Sequence, residues 1–164
     1  MDVVIRRARE RDLEPAGELS VEVYVGDGFS LAGGPYSGLL RDTRRRNEEA
    51  ELLVAVDAQD EHVLGCVTFA VGGTAWADIS QPDEGEIRML AVARAARGRG
   101  VGSALVQAAM DRSRELGLAG MAFSTRPDMT DAHRVYERLG FRRAPERDWA
   151  PMPGIDLMVY ALTF

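Results

Sequence analysis

Short apolar runs along this chain alternate with stretches in which apolar residues return every three or four positions. The runs predict strands, and the spaced stripes predict helices. Residues 3–8 read as a first strand. Glu10-Arg11-Asp12-Leu13-Glu14 opens a helix, with Asp12 as its N-cap and Pro15 still within the first turn. Leu13, Ala16, Leu19 and Val23 form its apolar stripe, and Gly26-Asp27-Gly28 stops it near Val25. Leu31-Ala32-Gly33-Gly34-Pro35 is a loop by composition. A second helix is predicted over residues 36–47, carrying Leu39 and Leu40 and ending on a solvated run, Arg44-Arg45-Arg46.

Two apolar runs at residues 51–56 and 62–71, joined by a polar turn, predict a hairpin with a bulge at Gly65. A polar connection over residues 72–85 holds Asp78, Asp83 and Glu84. The run Glu86-Ile87-Arg88-Met89-Leu90-Ala91-Val92 predicts the next strand, and residues 103–116 turn helical. Val101, Leu105, Ala109 and Leu116 share one face of that helix, and Gly117 caps it. A short strand at residues 119–125 leads through Arg126-Pro127-Asp128 into a helix that ends at Leu139, capped by Gly140. The last strands are predicted at residues 141–148 and 155–164, around the turn Pro151-Met152-Pro153-Gly154.

At 164 residues, 46% hydrophobic and 28% charged, the chain has the size and composition of one globular domain over residues 1–164. It contains no apolar run of membrane-spanning length and no secretory signal pattern. The single Cys66 forms no internal disulfide, which suits a reducing cytoplasm. One cysteine and two histidines give no metal-ligand spacing, so no metal is expected. The net charge of -6 argues against nucleic acid as a partner and weakly favours a cationic one.

The chemistry concentrates at Arg97-Gly98-Arg99-Gly100-Val101-Gly102-Ser103. A strand, a glycine-rich turn and a helix in succession present backbone N–H groups to an anion. Three glycines in five positions let the backbone approach a ligand closely, and two arginines add charge. The Walker pattern fails, because Ser103 stands where its second glycine belongs and no lysine follows. The dinucleotide fingerprint fails on the spacing of its third glycine. What is present is Arg-x-x-Gly-x-Gly at Arg97, Gly100 and Gly102.

That pattern resembles the pyrophosphate loop of the GNAT acyltransferases. Ala132-His133-Arg134-Val135-Tyr136-Glu137-Arg138-Leu139-Gly140-Phe141 resembles the late helix of the same family. The resemblance implies an α/β fold with a mixed, mostly antiparallel central sheet flanked by helices. It implies acetyl transfer from acetyl-CoA to a primary amine of a small molecule or peptide, by direct attack. Leu90, Ala91 and Val92 would pair through their backbone with the pantetheine arm, and Arg97 to Ser103 would hold the pyrophosphate. One position departs from the pattern: Met129 stands where many relatives carry asparagine.

For the chemistry itself, a carboxylate or an ordered water must take the amine's proton near neutral pH. Glu86 lies eleven residues before Arg97, the spacing of the catalytic glutamate in one branch of the family. The competing reading is a solvated carboxylate at a strand start. Asp83 and Glu84 are fallback bases. Tyr136 is the candidate acid for the leaving thiolate, against the reading that it is core, at helical spacing with Ala132, Val135 and Leu139. His133 reads as a surface residue, Arg94 as outside the phosphate turn, and Cys66 as a small buried hydrophobe rather than a nucleophile. An acyl-CoA-sensing module without turnover is the alternative function. The acceptor pocket is expected from the first two helices and the segments 72–85 and 145–154. Neither the identity of the amine nor the choice between monomer and homodimer is written in the sequence.

Overall fold

In the strand Glu51–Asp57, Leu52, Val54 and Val56 pack into one apolar layer, while Leu53 and Ala55 pack into another. A strand that buries both faces reads as a continuous apolar run, because its two faces alternate residue by residue. The computed structural model describes residues 2–29 and 33–164. Its strands are β1 (Val3–Arg7), β2 (Glu51–Asp57), β3 (Val63–Val71), β4 (Glu84–Val92), β5 (Gly120–Thr125), β6 (Arg142–Arg143), β7 (Trp149–Met152) and β8 (Ile155–Thr163). Its helices are α1 (Glu10–Gly26), α2 (Pro35–Arg41), α3 (Thr43–Glu49), α4 (Val101–Glu115) and α5 (Thr130–Arg138).

The sheet runs β1-β2-β3-β4-β5-β8-β6, with β7 hairpinned onto β8. Every pairing is antiparallel except β4 with β5. One layer packs α1 and α2 on the sheet through Leu13, Ala16, Leu19, Val23 and Leu40. The other packs α4 and α5 through Val101, Leu105, Ala109 and Tyr136. The β2–β3 ladder shifts register beside Gly65, as expected. A side chain there would stand 3.0 Å from both the Ala91 carbonyl oxygen and Leu105, so glycine lets α4 press onto the sheet.

Several expectations are corrected. The predicted helix over residues 36–47 is two helices, broken at Asp42, whose carboxylate accepts the Arg45 N–H at 3.2 Å and caps α3. The break turns α3 so that Arg46 is fully buried rather than solvated. Its guanidinium donates to Thr68 Oγ1, Ser20 Oγ and the Leu40 carbonyl oxygen. Arg9, not Asp12, is the N-cap of α1; Asp12 sits two residues inside Glu10 and accepts the Arg9 N–H at 2.7 Å, while Pro15 lies inside the helix. Leu116 is exposed, because α4 ends at Glu115 and the chain leaves the core face. The span 141–148 holds only the two-residue β6 before a helical turn at Pro145–Arg147, where Pro145 cannot donate to a ladder. Leu31 and Ala32 of the predicted loop lie outside the described residues.

Candidate active site

The sheet opens at one place. β4 and β5 pair only at Glu84 with Gly120 and Gly85 with Met121. Beyond that, β4 continues to Val92 against β3 and β5 continues to Thr125 against β8. Each strand therefore turns an unpaired edge toward the other. Unpaired main-chain N–H and C=O groups in such a cleft call for a partner with amides of its own. A bulge enlarges the opening: Thr68 pairs with Arg88 and Cys66 with Ala91, which leaves one extra residue on β4. Met89 takes φ +57° there, a left-handed value seldom adopted by a residue with a side chain and a common companion of bulges beside functional sites.

At its far end β4 feeds the glycine turn and α4. Gly98 and Gly100 both take φ +78°, and among the described residues no side chain caps the first turn of α4. The N–H groups of that turn point out of the helix with its positive dipole end behind them. Arg97 and Arg94 lean away, onto the two oxygens of Asp27 just past α1, at 2.8 and 3.0 Å. Desolvation is the largest single influence on the Asp27 carboxyl and pushes it up, but the hydrogen bonds and charges of the two arginines together hold it below its usual value.

Between the parted strands and the helices lies a cavity of about 690 Å³. Glu86, Leu90, Ser124, Thr125, Met129 and Tyr136 are among the residues in its wall. Glu86 is 1% exposed. Its Oε1 accepts from the Asp78, Ile79 and Ser80 N–H groups at 3.0 to 3.1 Å and from the Ser80 hydroxyl at 2.8 Å. Among the described residues its Oε2 receives only the shared Asp78 N–H, at 3.0 Å, and keeps acceptor capacity. Burial pushes the carboxyl above its ordinary value, and the loop's donors hold it partly back. Tyr136 is 5% exposed, packed edge-on against Phe123 at 4.6 Å between ring centres. Burial raises its phenol well above the ordinary value, so it carries its proton at neutral pH. No described residue hydrogen-bonds its hydroxyl, which is not among the sealed, unpartnered polar atoms and keeps access to the cavity.

A model of the acetyltransferase (GNAT) family matches residues 3–141. The chain belongs to the GNAT family. It is 37% identical over 98 residues to a mycothiol acetyltransferase of Nocardia farcinica, a match covering 59% of this chain and 31% of that protein. The chain spans about a third or less of the curated relatives it matches. A GCN5-related N-acetyltransferase from Kribbella flavida aligns over 99% of this chain and 98% of its own, with a TM-score of 0.73 and 28% identity. YncA from Salmonella typhimurium, solved with its cofactor acetyl-CoA, aligns over 99% and 94% with a TM-score of 0.71 and 19% identity.

Within this GNAT fold, the residues anticipated from sequence divide into groups. Glu86, Leu90 and Tyr136 meet in one cavity wall. Ala91 and Val92 continue the unpaired edge of β4, and the Val92 carbonyl oxygen accepts from Arg97 Nε at 3.3 Å. Asp83 and Glu84 lie outside the wall; Glu84 is engaged by Arg147 at 2.8 Å, which removes it as a fallback base, and Asp83 is exposed. His133 is buried rather than on the surface, its Nε2 2.9 Å from the Arg126 carbonyl oxygen. Cys66 is fully buried, as expected, and burial pushes its thiol up. No group of side chains that could hold a metal occurs among the described residues.

Asp78 and Trp149 lie in the segments 72–85 and 145–154 expected to line the acceptor pocket, though neither was given a role of its own, and Ser124 was passed over. Asp78 sits 3.4 Å from Arg88 across the cavity rim, and the Trp149 indole N–H donates to Ser124 Oγ at 2.8 Å. Asp78 carried no sequence signal beyond membership in a polar loop. Trp149 stood in a span read as the edge of a turn.

Proposed function

We propose that residues 1–164 act as one domain that transfers an acetyl group from acetyl-CoA to a primary amine of a small molecule. The observation that carries this reading is the parting of β4 from β5 beside an uncapped helix start. A ligand with an amide-bearing arm and a pyrophosphate head fits both at once. Leu90, Ala91 and Val92 would hold the arm by backbone pairing, and the turn from Arg97 to Ser103 would hold the phosphates. That ligand supplies an activated acyl group whose bond to sulfur breaks as a bond to the amine nitrogen forms.

The chain's own residues handle the two protons. Glu86 Oε2 takes the amine proton, directly or through one water, and its raised pKa brings it nearer to the working pH of a base. Tyr136 gives its proton to the departing thiolate from a hydroxyl that nothing else in the described structure engages. The resemblance in sequence to mycothiol acetyltransferases supports a small-molecule acceptor. A free buried thiol at Cys66 fits a reducing compartment, and we place the activity in the cytoplasm. Release of free thiol from acetyl-CoA on addition of amines tests the reading. Tight acetyl-CoA binding with no turnover of any amine would assign the fold to sensing instead.

A further inference from the structure

We propose that the acceptor is an amine on a flat apolar body, an arylalkylamine in chemical class, with the amino group as its one cationic centre. This rests on the acetyltransferase reading and narrows it. Apart from β4, β5, α5 and the loop residues Asp78, Arg126 and Met129, the cavity wall comes from α1 with Phe29 beyond it, from α2 with Gly34 before it, and from the β7–β8 hairpin, and that part is mostly aromatic and aliphatic. Tyr24 stands 6.3 Å from Phe29, edge-on, and 6.1 Å from Tyr36, ring centre to ring centre. Arg126 fixes Phe29, donating to its carbonyl oxygen at 2.6 Å and lying over its ring. Trp149 is fixed in turn by its bond to Ser124. Rings pinned in this way give the cavity a preformed aromatic wall, suited to contact with another ring.

The polar groups of the wall set the other half of the argument. Its carboxylates, among the described residues, are Asp78 and Glu86, which the Asp78 N–H joins into one place. Its guanidiniums are occupied: Arg88 turns to Asp78 and to the Trp76 carbonyl oxygen, and Arg126 to Asp128. One ammonium therefore has a counter-charge, and a second one further along a polyamine has none. The hydroxyls of an amino sugar would lose water against rings and aliphatic chains with few acceptors to replace it. Met152 and Ile155, on the hairpin at the cavity wall, are 56% and 39% exposed. Such apolar exposure beside a cavity is accounted for by an apolar body that covers it.

The test compares kcat/KM for phenethylamine, glucosamine and spermidine at saturating acetyl-CoA, read by thiol release. The expected result is at least a tenfold preference for phenethylamine. The paired substitutions Met152→Ser and Ile155→Ser, both at exposed positions that leave the fold intact, should lower that value about fivefold or more. Acetyl-CoA affinity by calorimetry should not move. Glucosamine or spermidine used as well as phenethylamine would overturn the proposal and leave the acetyltransferase reading standing. So would a paired variant whose phenethylamine value is unchanged. Failure of every amine would overturn both.

Discussion

Replacing Tyr136 by phenylalanine separates chemistry from packing, and the structure sets the size of each effect. The ring lies against Phe123, Phe141 and Tyr160 at centre-to-centre distances of 4.6, 6.4 and 5.7 Å, and all three contacts survive the loss of the hydroxyl. That hydroxyl has no protein partner among the described residues, so its removal breaks no intramolecular hydrogen bond. The hydroxyl is not among the sealed, unpartnered polar atoms and lines the cavity, where a water satisfies it at nearly no cost. Stability should therefore stay nearly level. At roughly 2–4 °C per kcal/mol for a chain of this size, the melting temperature should not fall. If the phenol protonates the leaving thiolate, turnover should drop about 100-fold, which is about 2.7 kcal/mol of barrier. Single-turnover acyl transfer alongside thermal unfolding reads both quantities. A normal single-turnover rate would refute the role as acid. A lower melting temperature with full activity would show that the hydroxyl has a structural partner.

Other consequences follow from the carboxylates. Glu86→Gln keeps an oxygen for the Ile79 and Ser80 donors but cannot take a proton from the amine. Turnover near neutral pH should fall about 10²- to 10⁴-fold, recover toward high pH as the amine deprotonates unaided, and leave acetyl-CoA affinity in place; a wild-type rate from about pH 6 to 9 would remove Glu86 from the mechanism. Asp12, against Arg6 at 2.5 Å, stays below its ordinary value of 3.8 despite desolvation. A depressed carboxyl stabilises the fold above its unfolded pKa, and that contribution disappears as pH falls through the folded one. Asp12→Asn should thus lower the melting temperature at neutral pH and much less at a pH below the ordinary carboxylate range; an equal deficit at both would show that the loss is not electrostatic. Glu86, whose value is raised, works in the opposite sense: its contribution is present below 4.5 and lost as pH climbs through its folded value.

The strands, most helices and the phosphate turn were legible because their signals are local. The continuous apolar run at Leu52 to Val56, the stripe from Leu13 to Val23 and the glycines from Gly98 to Gly102 each declare themselves within a few residues. Arg46 shows where local reading ends. Three consecutive arginines look solvated, and only the cap at Asp42 and the polar pocket made by Ser20 and Thr68 send one of them inside. His133 is similar: its burial depends on a carbonyl seven residues back, across a turn. The departure of β5 from β4 is a fact about two strands far apart in sequence, and nothing in either strand records it. Glu86 was found by its spacing from the turn, whereas the loop that seals one of its oxygens, and with it Asp78, came from a polar stretch without pattern.

The most direct test of the central claim is calorimetric binding of acetyl-CoA to the wild-type chain and to Gly100→Asp. A side chain at Gly100 meets no atom within 4 Å, and aspartate is among the residues that best tolerate a φ of +78°, so the variant should fold. Its carboxylate would stand beside the N–H groups assigned to the pyrophosphate. The account predicts binding to the wild-type chain and at least a tenfold loss in the folded variant. Equal affinity in the two proteins would contradict it and place the phosphates elsewhere.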